Sequence, residues 1–182
     1  MAIWDVWNAK VPLAQVTDAV VEDAALLAAL DATTPEQRAA FTVEMFNGPK
    51  DLAGFMLMRL GEHAVHTWDV AVAVDPAAGL DPEAAALILT TIPDLMGFVA
   101  RPTADLDVAV HTTDPERDLL LSLRTTGSSL TESDGADATA RLTLPAEAFV
   151  RLVYGRLDSE HTPSVTADGV ELDALRAAFP GF

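Results

Sequence analysis

The run Arg59-Leu60-Gly61-Glu62-His63-Ala64-Val65-His66-Thr67-Trp68-Asp69 holds most of what this sequence offers to chemistry. At about 100° of rotation per helical residue, Glu62 and His66 (i, i+4) share one face, one turn apart. Asp69 falls on the same stripe three residues later. A carboxylate and an imidazole on adjacent turns are donors of the kind from which helix-bundle metal sites are built. Asp69 would then orient the His66 ring from behind. The same spacing suits a plain hydrogen-bonded Glu–His pair at a half-wet helix surface, and spacing alone leaves both readings open. The neighbours add burial, which either a partner or a metal would have to satisfy. Phe55, Met56, Met58, Leu60, Val65 and Val74 make the helix apolar nearly all round, as in a buried helix. There an unpaired ionised group is expensive. His63, about 100° from Glu62, points outward, and a chelate of His63 with His66 would leave Glu62 without a role.

The remaining candidates carry less. His111 alternates with Val110 in a strand-like stretch, which suggests a surface or hydrogen-bonded ring, and His161 sits in a loop. Arg151 and Arg156 flank Tyr154 near a helix end, where arginine supports the helix dipole. Anion binding by Arg156 is the alternative. There is no cysteine, so disulfides, thiolate metal sites and a cysteine nucleophile are excluded. No G-x-S-x-G, phosphate-binding glycine loop or dinucleotide fingerprint occurs, which disfavours hydrolase, kinase and NAD chemistry of those kinds.

The elements that must position these residues can be read from periodicity. Residues 9–31 predict a helix with Pro12 in its first turn and an apolar stripe of Leu13, Val16, Val20, Ala24 and Leu27. Thr34-Pro35-Glu36-Gln37 has the form of a capping box opening a short helix. Asn47-Gly48-Pro49 reads as a turn, and a long helix is expected from Asp51 to Val74. Another follows over 82–100, kinked or split by Pro93. The period then changes: 106–110, 117–124, 127–132 and 138–144 alternate as half-buried strands, with Asp134-Gly135 as a turn. A helix from Pro145 to Tyr154, a short strand at Val165 and a terminal helix over 169–179 complete the chain. The fold class is α+β, with a helical domain over 1–101 and a small α/β domain over 102–182, the composition shift near residue 102 marking the boundary.

The bulk numbers bound the function. The 182 residues allow one large domain or two small ones, and 50% apolar content is enough for a core. Eleven Lys and Arg against 28 Asp and Glu give a net charge of -17. Such a charge repels nucleic acid and an anionic membrane surface. No stretch reaches the ~18 apolar residues of a spanning helix. Met1-Ala2-Ile3-Trp4-Asp5 lacks the pattern of a secretory signal, so a cytoplasmic location is expected.

The run Arg59–Asp69 resembles the last bundle helix of mycothiol-dependent maleylpyruvate isomerase-like proteins. The segments Ala140-Arg141-Leu142-Thr143-Leu144-Pro145, Tyr154-Gly155-Arg156 and Leu175-Arg176 resemble their C-terminal domain. The resemblance implies a DinB-like helical bundle followed by a sterol-carrier-like α/β domain. It implies a divalent metal, usually zinc, and the thiol cofactor mycothiol as nucleophile. That thiol adds to a cis double bond, rotation follows, and elimination gives the trans isomer. Glu62 and His66 match two of the metal ligands, and Arg156 matches a catalytic arginine that meets the substrate's carboxylates. The pattern departs at the other histidine ligand, which lies on an earlier helix in the family. This sequence has no histidine before His63 and reads as an incomplete bundle lacking its first helices. The expected function is therefore a mycothiol- and metal-dependent isomerase or thiol S-transferase. The alternative is a non-catalytic, homodimeric binding or structural module, since helices without bundle partners expose an apolar face. A lipid carrier follows only from fold analogy and ranks last.

Overall fold

A computed structural model describes residues 3–45 and 48–181. It divides into two compact units between Ala53 and Gly54.

The first unit holds helices α1 (Ile3–Asn8), α2 (Pro12–Asp31) and α3 (Pro35–Ala40), then a short antiparallel pair, β1 (Val43–Met45) and β2 (Gly48–Lys50). Pro12 opens α2, where its missing N–H costs nothing. The expected capping box is present at α3: the Gln37 N–H donates to the Thr34 hydroxyl at 3.2 Å, and the Thr34 N–H donates to Oε1 of Gln37 at 2.8 Å. The turn expected at Asn47-Gly48-Pro49 is only partly testable. Asn47 lies outside the described residues, and Gly48 and Pro49 stand in β2. No residue of α2 is buried. Its apolar stripe is open to solvent, with Leu13 77% and Val20 66% exposed.

The second unit contains most of helix α4 (Leu52–Ala71), then α5 (Pro82–Leu89), α6 (Ile92–Val99), strands β3 (Leu106–Thr113), β4 (Arg117–Leu123), β5 (Ser129–Glu132) and β6 (Ala140–Pro145), helix α7 (Ala146–Val153), strand β7 (Thr166–Asp168) and helix α8 (Leu172–Ala178). Asp81 caps α5 by accepting from the Ala84 N–H at 2.9 Å. The helix expected over 82–100 is split. It breaks at Thr90-Thr91, just ahead of Pro93, and the two pieces are bent by 73°. No single described helix is long and apolar enough to cross a membrane.

The five strands run in the order β5-β4-β3-β6-β7, with β3 and β6 parallel and the other neighbours antiparallel. One face of this sheet is dry. Val108 stands between Leu121 and Ala140, and Val110 between Leu119 and Leu142, all buried. Arg141 and Thr143 of β6 point the other way, which is the alternation expected of a sheet covered on one side. Helix α7 lies in the core, with Phe149, Leu152 and Val153 essentially inaccessible. Burial of each such side chain contributes roughly 1.5–3 kcal/mol.

The fold is thus α+β, a helical part followed by a sheet with helices. The compact units, however, part at 53/54 rather than at the expected 101/102. The reason lies in the core. Val65 and Trp68 of α4, Ile88 of α5 and Met96 of α6 belong to the same buried cluster as Val108, Leu142 and Phe149. Composition changes near residue 102; packing does not.

Candidate functional site

Helix α4 is anchored by one stripe. Gly61, Val65 and Trp68 are its buried residues, spaced i, i+4, i+7 on a single face. The Trp68 indole N–H donates to the Ala78 carbonyl at 2.8 Å. Above its ring, at 4.9 Å, lies the guanidinium of Arg151 from α7. Arg151 is almost wholly buried and uses each of its three nitrogens. It donates to both Glu147 oxygens at 2.7 and 2.8 Å and to the His161 carbonyl at 2.7 Å. Glu147 in turn accepts the Leu80 N–H at 3.3 Å. Arg151 stands in the last turn of α7, as expected, and there it also centres a buried pair that packs on Trp68 of α4.

That packing decides where the chemistry points. Glu62, His66 and Asp69 flank the buried stripe, and the helix is not buried on every side as its nearly all-round apolar sequence predicts. The side chains of His66 and Glu62 are 62% and 51% exposed. Burial therefore does not force a metal between them. His66 Nδ1 lies 3.0 Å from Oδ2 of Asp69, while Nε2 lies 3.5 Å from Oε2 of Glu62. A neutral imidazole has one N–H to give, and Asp69 is the nearer acceptor. In the tautomer with hydrogen on Nδ1, the Nε2 lone pair would face Glu62. The expectation that Asp69 backs His66 agrees with this geometry.

Arg156 arrives from beyond α7. Gly155, with φ +71°, turns the chain out of the helix; a Cβ there would stand 2.4 Å from the Gly181 nitrogen, so the turn requires glycine. Nε and Nη2 of Arg156 donate to the two oxygens of Asp69, each at 3.3 Å, and Nη1 donates to the Tyr154 carbonyl at 2.7 Å. Partial burial would raise the Asp69 pKa. Hydrogen bonds from Arg156 and His66 outweigh it and hold the carboxyl below its ordinary value. The residue expected to meet substrate carboxylates thus has a protein carboxylate in its grip.

Tyr154 presses its hydroxyl against α4 at Gly61. A Cβ on Gly61 would stand 2.7 Å from that oxygen. Burial, then the charge of Glu62, push the phenol up to about 12, with Arg156 opposing. It therefore remains protonated, a donor and not a base. Tyr154 and Gly61 were not singled out as site residues by sequence reasoning. The available signal was a glycine in the middle of a strong helical pattern, which often marks close approach.

The other histidines stand apart. His63 Nε2 lies 2.7 Å from Arg59 on the outer side of the helix, as expected. His111 pairs with Asp118 at 2.8 Å, and His161 pairs with Asp158 at 2.9 Å while meeting Trp68 edge-on. Among the described residues, no group of three or more His, Asp or Glu side chains is arranged to hold a metal.

No curated protein matches the chain. Among solved structures, a stereoselective inverting sec-alkylsulfatase from a Pseudomonas species is 14% identical over 69% of this chain and 30% of its own, with a TM-score of 0.41. A GCN5-related N-acetyltransferase from Kribbella flavida is 21% identical over 50% of this chain and 24% of its own, with a TM-score of 0.34. The chain therefore spans about a third or less of either protein, and likeness this slight bears on neither fold nor chemistry. The family model of the mycothiol maleylpyruvate isomerase N-terminal domain matches residues 2–71, a span that ends just past Glu62, His66 and Asp69. Residues 2–71 of this chain are thus similar to the mycothiol maleylpyruvate isomerase N-terminal domain.

Proposed function

We propose that this chain is a mycothiol- and divalent-metal-dependent isomerase or thiol S-transferase of the maleylpyruvate isomerase type, with Glu62 and His66 as metal ligands. The observation that carries the reading is the Glu62–His66 pair within the family-matched segment. His66 turns Nε2 toward Glu62 while Nδ1 is held by Asp69. The pair fits the donor chemistry of zinc, which takes imidazole nitrogen and carboxylate oxygen at about 2.0–2.2 Å. The 3.5 Å between Nε2 and Oε2 would let both donors reach one ion. A bound ion lowers the pKa of a thiol beside it, making thiolate available near neutral pH. The chain's own part is to hold donors and leave access. His66 offers a lone pair, Glu62 offers charge, Asp69 fixes the ring, and the open side of α4 admits a thiol and a small unsaturated acid. The Tyr154 hydroxyl, kept protonated, is a hydrogen-bond donor beside Glu62.

Metal content of the purified protein, measured by mass spectrometry beside Glu62→Ala and His66→Ala variants, tests the proposal. Wild type should carry zinc that both variants lose. Wild type with no more metal than the variants would overturn it.

A second reading has its own support. Among the described residues no group of three donors is arranged to hold a metal, and α2 leaves Leu13, Val16, Val20 and Leu27 more than half exposed. Under this reading the chain is a non-catalytic binding or structural module that forms a homodimer. Sedimentation showing a stable, well-folded monomer would rule that out.

A further inference from the structure

We infer that Arg156 is a positioning residue that acts through Asp69 on His66, holding the ring in the tautomer that has hydrogen on Nδ1 and a lone pair on Nε2. The inference stands on geometry. Only its zinc arm rests on the metal reading above.

Asp69 alone is a poor guide for a ring one turn away. Its side chain is 35% exposed, and water competes for its oxygens. Arg156 removes that freedom. Its Nε and Nη2 span both carboxylate oxygens, and its Nη1 is tied to the Tyr154 carbonyl at 2.7 Å, so the guanidinium is itself anchored. Oδ2 of Asp69 is then shared between Arg156 Nη2 and His66 Nδ1. The chain of contacts runs from the turn after α7, through α4, to the only ring nitrogen left facing Glu62. Arginine suits the task because its planar fork holds a carboxylate in orientation, which the point charge of a lysine does not. The 3.3 Å contacts exceed the 2.7–2.9 Å of the strongest charge-assisted bonds. The clamp therefore restrains more than it binds, and its loss should weaken the arrangement without abolishing it. Three of the five Arg156 N–H directions are already committed to protein oxygens, so the arginine is poorly placed to seize a substrate carboxylate as well.

The test is the imidazole nitrogen spectrum of metal-free, 15N-labelled full-length protein at about pH 8.5, above the ordinary imidazole range. The chain has four histidines, so the ring signals are few. His111 and His161 each meet an aspartate through Nδ1 and serve as internal controls. In wild type, His66 should show hydrogen on Nδ1. Asp69→Ala should move it to the Nε2–H form that free imidazole side chains prefer. Arg156→Gln should give a mixture, and Arg156→Lys should restore only part of the wild-type signal. His111 and His161 should be unchanged in every variant, which separates a local effect from misfolding. Hydrogen on Nε2 in wild type, or an Arg156→Gln spectrum matching wild type at His66, would overturn the inference. Zinc affinity measured by competition on the same proteins distinguishes the two proposals. Loss of such an outer partner typically costs 10–100-fold in affinity; Asp69→Ala should fall in that range and Arg156→Gln at its lower end. A tautomer shift in protein that binds no zinc would leave the positioning role standing and overturn the metal reading alone.

Discussion

Replacing Gly61 by alanine sets two effects of similar size against each other. In a helix interior alanine is favoured over glycine by about 1 kcal/mol, so Gly61→Ala should stabilise α4 on propensity alone. The added methyl, however, would stand 2.7 Å from the Tyr154 hydroxyl oxygen. An ordinary contact needs at least 3.4 Å, so something must move by about 0.7 Å. Tyr154 is 7% exposed and has little room to retreat. Overpacking of this kind costs about 1–3 kcal/mol, so the net effect in wild type should lie between neutral and about 2 kcal/mol destabilising. Removing the hydroxyl changes the sign. In Tyr154→Phe the nearest remaining ring atom is Cζ, 3.7 Å from the new methyl, which is ordinary contact. There Gly61→Ala should gain most of its ~1 kcal/mol. The coupling between the two positions should therefore be about 1–3 kcal/mol. Urea unfolding of the four proteins, followed by tryptophan fluorescence and compared at equal m, measures it. Gly61→Ala with the same effect in both backgrounds, within about 0.5 kcal/mol, would refute the notch as the reason for glycine.

Three further outcomes follow from the same contacts. Tyr154 is the chain's single tyrosine, so absorbance at about 295 nm should give one ionisation near 12 in the folded protein and near 10 when unfolded. Because the folded value is raised, this group's contribution is fully present below about pH 10 and is lost between about 10 and 12, a fall of about 3 kcal/mol at 1.36 kcal/mol per unit; a folded midpoint near 10 would contradict its burial. Arg151→Ala leaves the Glu147 carboxylate in a largely buried site without its partner and should cost about 3–5 kcal/mol. The denaturation midpoint reports this, and Arg151→Ala combined with Glu147→Gln should cost less than the single change. The Asp69 carboxyl should titrate below 3.8 by carbon NMR, and Arg156→Gln should move it upward. Since the folded value is depressed, the stability tied to Asp69 is present above about pH 4 and disappears as pH falls below it.

Much of the architecture was legible because local rules settle it. Pro12, the Thr34–Gln37 box, Asp81 and Pro93 fix helix starts and a break through backbone chemistry that needs no distant partner. The alternation of Leu142 and Leu144 with Arg141 and Thr143 announced a one-sided strand for the same reason. Of the turn expected at Asn47-Gly48-Pro49, Gly48 and Pro49 lie in β2 because they pair with the strand before them.

The sequence also determined that Glu62, His66 and Asp69 share a stripe of α4, since helical spacing alone places them there. Which way that stripe faces was decided by tertiary packing. Apolar residues surround the helix in sequence, and only contacts from other elements select the side that becomes buried. Trp68 against Arg151 and Gly61 against Tyr154 chose it, and they left Glu62 and His66 open to solvent. The meeting of Arg156 with Asp69, 87 residues apart, has no local signature at all. It depends on the turn at Gly155 and on α7 lying beneath the sheet's dry face, which are properties of the folded chain.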